Sequence, residues 1–361
     1  MLLAQTSFLG DVVLTTPLWR ALRDAFPEAE IWWLTRPDAA PLVAPLAGRD
    51  RVLVFDKRGA DGGLSGLRAV AARLRALRFD AAIAVQRSLR TAATLALAAI
   101  PERVGFAGAP GSPLYQHRVP QRGAHARDRL LALAEPFGVR PVPAPLPALE
   151  IDPAAASAVA TRLQAAGVAD GERLLVIAPG SAWETKRWPA ERFAEAACAL
   201  VPQDLHRVVV VGTSADGTHA ASIAAALGRS SPGAPATLDL TGRTSTAELV
   251  ATLARAALVL ANDSAPAHVA AALRRPVVVP FGPTVPAQGF APLGPSVRIV
   301  ERELSCRPCS RHGDRFCPIG THECLAELPA DAAVVAARAL LADAEPGRAA
   351  AASERRESVL S

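Results

Sequence analysis

LLVIAPGSAWETKRWPAERFAEAACALVPQDLHRVVVV, residues 174–211, alternates between apolar runs and a helical pattern. The runs at 174–178 and 207–211 are short and rich in Leu, Val and Ile, as in strands that are buried on both faces. Between them, Pro189 opens a stretch to residue 200 whose apolar spacing is helical. Strand, helix and strand in this order are typical of a parallel sheet covered by helices, so this stretch predicts an α/β fold.

The same alternation extends in both directions from this stretch. Four prolines in PVPAPLPAL, residues 141–149, interrupt it and mark a domain boundary. We therefore predict two Rossmann-like domains, 1–145 and 146–328, a terminal helix at 329–344 and a disordered tail at 345–361. Further strands are predicted at 1–5, 31–35, 52–55, 81–85, 237–240, 257–261 and 276–280, and further helices at 11–26, 64–78, 153–167, 216–227, 246–255 and 265–274.

Composition excludes several classes of protein. Of 361 residues, 50% are hydrophobic and 20% are charged, which excludes a disordered chain. The longest uncharged apolar runs, such as 92–100, are about half of the ~20 residues that a membrane-spanning helix needs. The N-terminus lacks a basic region and Asp11 interrupts its first apolar stretch, so no signal peptide is predicted and the cytoplasm is the expected location.

Charge favours an anionic partner. Lys and Arg number 39 against 34 Asp and Glu, a formal net charge of +5. Nucleic acid, an anionic membrane surface and a phosphorylated substrate all fit this charge. An aromatic content of 4% and dispersed arginines argue against nucleic acid.

Two loops of the second domain carry groups that could bind phosphate. In the loop after 257–261, Asp263, Ser264 and His268 lie where a helix begins, and helix N-termini attract anions. In the loop after 174–178, Ser181 follows a glycine that permits close backbone approach, and Lys186 supplies a point charge. Neither loop has the spacing of a P-loop. For the loop after 257–261 the alternative is structural, with Asp or Ser as a helix cap and His exposed to solvent.

The first domain and the cysteines each allow two interpretations. SFLGDVV puts Gly10 in a predicted tight turn and Asp11 at a helix start, where the carboxylate is either a cap or a general base. Four of the five cysteines crowd one short segment, which is compatible with a zinc site or with reduced thiols in a loop. These four are Cys306, Cys309, Cys317 and Cys324.

Five ordered motifs together resemble a known family. They are SFLGDVVLTTPLWRALRDAFPEAEI (7–31), PGSAWETKRWP (179–189), LTGRTSTAELVATLARA (240–256), NDSAPAHVAAAL (262–273) and CRPCSRHGDRFCPIGTHECL (306–325). The chain resembles the ADP-heptose lipopolysaccharide heptosyltransferases of glycosyltransferase family 9 over residues 1 to about 330. The cysteine-bearing motif is most similar to the heptosyltransferase II branch, which adds the second inner-core heptose.

The resemblance implies a GT-B fold, in which two Rossmann-like domains enclose a cleft, and an inverting transfer. The first domain would bind the lipopolysaccharide acceptor, with Asp11 as the base, and the second would bind ADP-heptose. Matched motifs imply donor contacts from Ser181, Lys186, Thr244, Asp263, Ser264, Ala265 and His268. Asp216 is the candidate for the ribose-binding acid.

Two features depart from the family pattern, and one absence agrees with it. Ala265 stands where the family has Gly, so backbone approach to the diphosphate is narrowed by a methyl group. Asp216 is the only acidic candidate after the strand at 207–211. The sequence contains no Asp-x-Asp pair, which suits a transferase that uses no metal cofactor, and leaving-group charge would fall to Lys186, the helix N-terminus and His268.

A glycolipid acceptor at the cytoplasmic face of the inner membrane would suit the basic charge, through peripheral contact with the anionic surface. Candidate acceptor contacts follow the strands at 52–55 and 81–85, although each could be a solvated surface charge. Two alternatives to the heptosyltransferase remain: a family 9 enzyme with another nucleotide sugar or acceptor, and a non-catalytic nucleotide- or glycolipid-binding protein. The acceptor candidates are Gly10, Lys57, Arg58, Gln86, Arg87 and Arg90.

Overall fold

The described chain forms two compact units, which divide between Glu150 and Ile151. The computed structural model describes residues 1–201, 203–230 and 237–344. The predicted disordered tail, 345–361, lies outside these residues. The two units are called the first and second domains below.

The first domain is a six-stranded parallel sheet flanked by helices. Its strand order is β3-β2-β1-β4-β5-β6, so the order reverses between the neighbouring strands β1 and β4. The strands are β1 Leu2–Ala4, β2 Trp32–Thr35, β3 Val52–Val54, β4 Ala81–Ala84, β5 Glu102–Phe106 and β6 His117–Val119. The helices are α1 Leu9–Ala25, α2 Ala40–Ala47, α3 Gly63–Ala76, α4 Leu89–Leu97 and α5 Ala126–Leu131.

The second domain repeats this topology. Its order is β12-β11-β10-β7-β8-β9, all parallel, and the reversal falls between β7 and β10. The strands are β7 Leu174–Ala178, β8 Arg207–Val210, β9 Leu238–Asp239, β10 Ala256–Ala261, β11 Val277–Phe281 and β12 Val297–Glu301. The helices are α6 Pro153–Ala165, α7 Ala190–Leu200, α8 Gly217–Ser230, α9 Thr246–Ala254, α10 Ala265–Ala272, α11 Glu323–Ala326 and α12 Ala330–Asp343.

Apolar strands explain why both sheets are covered on two faces. In the second domain, Leu175 and Ile177 pack with Phe193 of α7 in one fully buried cluster. The intervening residues Leu174 and Val176 are also fully buried, on the other face. Such strands need helices on both sides, since either face left open would expose a continuous apolar surface.

The α/β prediction with two Rossmann-like sheets is confirmed, and the differences are local. Gly10 is the second residue of α1 rather than part of a turn, because the helix begins two residues before Asp11. The predicted helix at 265–274 ends at Ala272, and Arg274 has a left-handed φ of 58°. Three strands were not predicted, β5, β6 and β12, and each has polar or charged residues within it.

Among the described residues, none of the helices has the length and apolarity that crossing a bilayer requires. The predicted terminal helix is present as α12, which packs on the core of the second domain through Val334 and Leu341.

Candidate functional site

In Rossmann-like sheets, ligands bind beyond the carboxyl ends of the strands where the strand order reverses. In the second domain the loops after β7 and β10 flank that point. Lys186, from the first loop, donates from Nζ to Asp263 Oδ2, from the second, at 2.6 Å. The side chains are 13% and 9% exposed, so this is a largely buried ion pair. The structure thus brings together two residues that lie 77 positions apart in the sequence.

Asn262 fixes the two loops to each other. Its Oδ1 accepts a hydrogen bond from the backbone N–H of Trp188 at 3.0 Å, and its Nδ2 donates to Pro179 O at 2.6 Å. Within the first loop, Arg187 donates from Nε and Nη2 to the carbonyl of Ser181. These bonds fix both ends of the segment 179–188, and Lys186 lies near its C-terminal end.

The loop after β10 leads into α10, and the predicted residues lie at its start. Ser264 is the N-cap residue and Ala265 is the first helical residue. The Oγ of Ser264 is buried and has no hydrogen-bond partner within the described chain. His268 is 8% exposed, which rules out the solvated His of the structural alternative. The free amides of the helix N-terminus therefore lie beside the Lys186–Asp263 pair, an arrangement that can accept an anion.

Sequence reasoning missed two residues that hold Asp263. Thr284, after β11, donates from Oγ1 to the same Asp263 Oδ2 at 2.8 Å. The carbonyl of Thr284 in turn accepts from Arg307 Nη2 at 2.9 Å. Arg307 also donates to the carbonyls of Gly282 and Arg302 and pairs with Glu301. A threonine and an arginine outside the phosphate-like motifs gave no local signal of these contacts.

Asp216 has a capping role in the structure. Its Oδ2 accepts hydrogen bonds from the backbone N–H and the hydroxyl of Thr213, both at 2.8 Å, and the residue is 3% exposed. A Cβ built on Gly180 would lie 2.6 Å from both carboxylate oxygens of Asp216, so the glycine permits this close approach. The carboxylate packs under the loop that follows β7 and is not presented to solvent. Thr244 lies half-buried in the loop between β9 and α9.

The cysteine-bearing segment packs against the Lys186 loop. Thr185 makes three hydrogen bonds with the backbone of Asp314, two of them through its hydroxyl, and its carbonyl contacts His322 Nε2 at 2.8 Å. Gly313, with a φ of 96°, lies so close to Trp183 that an added Cβ would be 2.8 Å from the Trp183 Cβ. The segment therefore supports the loop from outside.

All five cysteines are free. Across the described ranges, no three His, Cys, Asp or Glu side chains form a group that could hold a metal ion. Burial, followed by the neighbouring Cys306 and Cys317, raises the pKa of the Cys309 thiol. Burial, followed by Cys309, raises the pKa of the Cys324 thiol as well. These shifts favour the neutral thiol at both positions.

In the first domain, the loop after β1 presents Asp11 in the first turn of α1. The Ser7 hydroxyl donates to Asp11 Oδ2 at 2.7 Å. Oδ1 receives no hydrogen bond from any described residue. One carboxylate oxygen is thus held in place by the Ser7 hydroxyl, and the lone pairs of the other are not used by hydrogen bonds within the described chain.

Two glutamines support this loop from beneath. Gln5 accepts from the backbone N–H of Ser7 and donates to Thr15. Gln86, which follows β4, accepts from the backbone N–H of Thr6 and donates to the hydroxyls of Thr6 and Thr91. Both the oxygen and the nitrogen of the Gln86 side-chain amide are engaged within the protein, so this residue positions the loop. It also lines the cavity described next, and its acceptor contact stays a prediction.

A cavity of about 570 Å³ opens at this edge of the first sheet. Its lining includes Ser7 and Phe8 from the loop that carries Asp11, and four of the predicted acceptor residues. Asp11 is not part of this lining, but its Oδ2 accepts a hydrogen bond from the hydroxyl of Ser7, which is. The four are Lys57, Arg58, Gln86 and Arg87, and Arg36 adds a further cation.

Lys57 has an unusual environment within the cavity. Its Nζ donates to Thr91 Oγ1 at 3.0 Å and lies 5.3 Å from the centroid of the Phe55 ring. Burial, and then the positive charges of Arg90 and Arg36, lower the pKa of Lys57 to about 8. An anion beside Lys57 would relieve this repulsion, so the position suits a negatively charged ligand.

The remaining acceptor candidates divide by exposure. Arg58 and Arg87 are exposed on the rim, and Arg87 donates to the carbonyl of Gly108. Arg90 instead donates from Nη2 to the carbonyls of Asp61 and Gly63, and does not line the cavity. Gly10 contributes no lining surface either.

The chain matches the model of glycosyltransferase family 9 (heptosyltransferase) over residues 67–319. It is 28% identical to lipopolysaccharide heptosyltransferase 2 of Salmonella typhimurium over 304 residues, 81% of this chain and 85% of that protein. It is also 28% identical to lipopolysaccharide heptosyltransferase 3 of Escherichia coli over 290 residues, 76% and 80% of the two chains. The structure of E. coli ADP-heptose lipopolysaccharide heptosyltransferase II superposes with a TM-score of 0.77 at 24% identity, covering 95% and 98%.

Proposed function

The chain belongs to glycosyltransferase family 9, and on that premise we propose that it transfers heptose from ADP-heptose to the inner core of lipopolysaccharide, adding the second heptose. Its fold is the GT-B fold of two Rossmann-like domains. The observation that carries the proposal is the Lys186 ammonium, held by Asp263 beside the N-terminus of α10. The ADP-heptose donor is supported by the likeness to the E. coli ADP-heptose lipopolysaccharide heptosyltransferase II structure.

The donor site follows from charge. Departure of ADP places negative charge on the phosphate oxygen that leaves the anomeric carbon. Lys186 and the amides at the start of α10 offset that charge without a metal ion. Ser264 Oγ supplies a further hydroxyl, and Ser181 and Ala265 lie in the two loops that approach the diphosphate. His268 lies one turn further along α10 than the cap residue Ser264. Thr244 lies near the adenosine of the bound donor.

Asp11 is the base of the proposed reaction. It takes the proton of the acceptor hydroxyl as that oxygen bonds to the anomeric carbon, and the bond from this carbon to ADP breaks. The configuration at this carbon inverts in a single displacement. A carboxylate at a helix N-terminus is a weak base, so proton transfer follows the rise in acidity of the hydroxyl as its new bond forms.

The acceptor occupies the cavity of the first domain. Lys57, Arg58 and Arg87 suit a phosphorylated sugar acid or heptose, since each supplies donors to anionic oxygens. The glycolipid tail places the protein at the cytoplasmic face of the inner membrane as a peripheral protein.

The test is transfer from ADP-heptose, with ADP release measured on three acceptors. The acceptors carry no heptose, one heptose or two heptoses, and each reaction is run with and without a chelator. The proposal expects turnover on the one-heptose acceptor that survives the chelator. Preference for another acceptor would assign the chain to a different heptosyltransferase branch, and no turnover on any of them would contradict the proposal.

Asp11→Asn tests the base separately from binding. Loss of a general base lowers kcat by about a hundred- to ten-thousandfold. ADP affinity should stay at the wild-type value, because the substitution leaves the second domain unchanged. Asp24→Asn, near the other end of α1 and exposed, is the matched control. An equal loss of ADP affinity in Asp11→Asn would refute the assigned role.

A further inference from the structure

Three large apolar side chains are exposed around the cavity of the first domain. Phe8, Leu64 and Leu89 are 53%, 72% and 54% exposed. Phe8 immediately precedes α1, and the two leucines are in the first turns of α3 and α4. These helices follow β1, β3 and β4, so all three side chains lie at the carboxyl edge of the sheet. A single exposed apolar residue is ordinary, but several on one edge mark an interaction surface.

Hydrogen bonds show that these positions are neighbours. Arg90, the residue after Leu89, donates from Nη2 to the carbonyls of Asp61 and Gly63, on the N-terminal side of Leu64. The starts of α3 and α4 are therefore tied together. Phe8 lines the same cavity as Ser88, which precedes Leu89. The three apolar side chains thus share one edge with the cavity mouth.

Basic residues lie among them. Arg58 and Arg87 are exposed at the cavity rim, and Arg68 is exposed four residues after Leu64, on the same face of α3. None of the three guanidinium groups pairs with a carboxylate in the part of the chain that the structure describes.

The nearby carboxylates are already engaged. Asp38 is bound by Arg36 at 2.8 Å. Asp56 accepts from the backbone N–H groups of two residues in the loop that follows it. Asp61 accepts from the backbone N–H of Asp56. The edge therefore presents apolar side chains together with positive charges that have no internal counter-ion.

We propose that this edge is a docking surface for an anionic lipid bilayer. Phe8, Leu64 and Leu89 enter the interfacial region of the bilayer, while Arg58, Arg68 and Arg87 contact lipid phosphates. This would bring the cavity mouth to the depth of the sugar core of a membrane-anchored glycolipid. In that respect the inference rests on the proposed function, although the surface itself is defined without reference to the reaction.

Leu64→Ser/Leu89→Ser tests the surface, and the same helices supply the matched control. Leu77 and Leu97 are 41% and 45% exposed, at the C-terminal ends of α3 and α4. These ends lie about 20 Å and about 12 Å from the starts of their helices, at 1.5 Å per residue. Leu77→Ser/Leu97→Ser therefore removes two exposed leucines from the opposite edge.

The measurement is co-sedimentation of the full chain with vesicles of equal parts phosphatidylglycerol and phosphatidylcholine. Burial of a leucine contributes about tenfold to partitioning, so the first double variant should bind about a hundredfold more weakly. The control variant should bind as the wild type does. Binding of the wild type should fall with added salt and on vesicles of phosphatidylcholine alone.

Equal loss in both double variants, or no loss in the first, would overturn the proposal. So would a wild-type dimer that Leu64→Ser/Leu89→Ser dissociates in the absence of vesicles, because the surface would then bind a second copy. Turnover on a water-soluble, lipid-free acceptor separates the two proposals. On that acceptor, Leu64→Ser/Leu89→Ser should turn over as fast as the wild type. If neither protein turns over while the wild type still binds vesicles, the proposed function is rejected and the docking surface is kept.

Discussion

The buried pair between Lys186 and Asp263 allows a prediction in which either single substitution lowers stability but only one of the two lowers ADP affinity. At 2.6 Å, with an effective dielectric constant of about 20, the attraction between unit charges is about 6 kcal/mol. Desolvation offsets much of this, and removal of one partner of a buried pair costs about 3–5 kcal/mol. We expect the lower end, about 3 kcal/mol, because both side chains retain some solvent contact.

The perturbations are Lys186→Met, Asp263→Asn and the double variant. Each single variant leaves one buried group without its charge partner, whereas the double variant leaves none. The double variant should therefore lose less than either single variant, well under about 3 kcal/mol, and not the sum of about 6 kcal/mol. This loss is measured by urea unfolding with hydrogen exchange of peptides from β7 and β10 as the readout. A signal from the whole chain would combine the unfolding of the two domains.

ADP affinity distinguishes the two partners. Lys186→Met should weaken ADP binding about ten- to hundredfold, as expected for loss of a hydrogen bond to a charged group. Asp263→Asn removes a negative charge beside the diphosphate, so ADP should bind at least as tightly as it does to the wild type. Calorimetric titration with ADP measures both. Parallel losses of ADP affinity in the two variants, or additive losses of stability, would refute the pairing as the basis of the site.

Two further predictions concern the first domain. Ser7→Ala should lower kcat several-fold, with little change in the acceptor KM, and should alter the pH profile of kcat, because the hydroxyl orients Asp11 from 2.7 Å. Ser7→Thr should restore kcat and its pH profile. An unchanged kcat and pH profile in Ser7→Ala would contradict this. The acceptor KM should rise above pH 8, because Lys57, whose pKa is lowered to about 8 chiefly by burial, loses its charge there. Lys57→Arg should keep KM constant through this range, and a rise of the same size in that variant would assign the titration to another group.

Lys57 also has a consequence for stability with a definite sign. Its pKa in the folded protein, about 8, lies below the ordinary lysine value of 10.5, chiefly because of burial, so the folded state binds the proton less tightly. Below pH 8 both states are protonated and the cost of burying the charge is present in full. Between pH 8 and 10.5 the unfolded state holds more protons, and this residue's contribution to stability rises with pH.

The sequence predicted the framework because the framework depends on local patterns. The apolar runs of β7, β8 and β10 are buried on both faces, so composition alone marks them as strands. β5 begins at Glu102 and β12 ends at Glu301, and both lie toward or at sheet edges where one side is more exposed. Their polar ends weakened the signal, and they were missed.

Contacts between distant segments could not be predicted in the same way. Lys186 and Asp263 each stood out from a loop motif, but their direct bond depends on β7 and β10 being neighbours in the sheet. Thr284 lies outside the motifs and Arg307 belongs to the cysteine-bearing one, and only the fold shows that Thr284 bonds to Asp263 and that Arg307 bonds to Thr284. Gln86 is the converse case, because its place after β4 indicated a ligand contact and its hydrogen bonds show a supporting role.

The two domains keep their cations in different states, and this difference fits different anions. Lys186 is neutralised by Asp263, whose position is fixed by Thr284 and, behind it, Arg307. A diphosphate must compete with that carboxylate, so a ligand needs further contacts at α10 to bind well. This favours selective binding over long-range electrostatic attraction.

At the cavity of the first domain, Arg58 and Arg87 lack carboxylate partners among the described residues, and the charge of Lys57 is destabilised by burial and by neighbouring arginines. Such a site attracts polyanions over a distance and binds them with a salt-dependent affinity. We therefore expect added salt to raise the acceptor KM steeply and to change ADP affinity much less, and an equal dependence at both sites would contradict this assignment of charge.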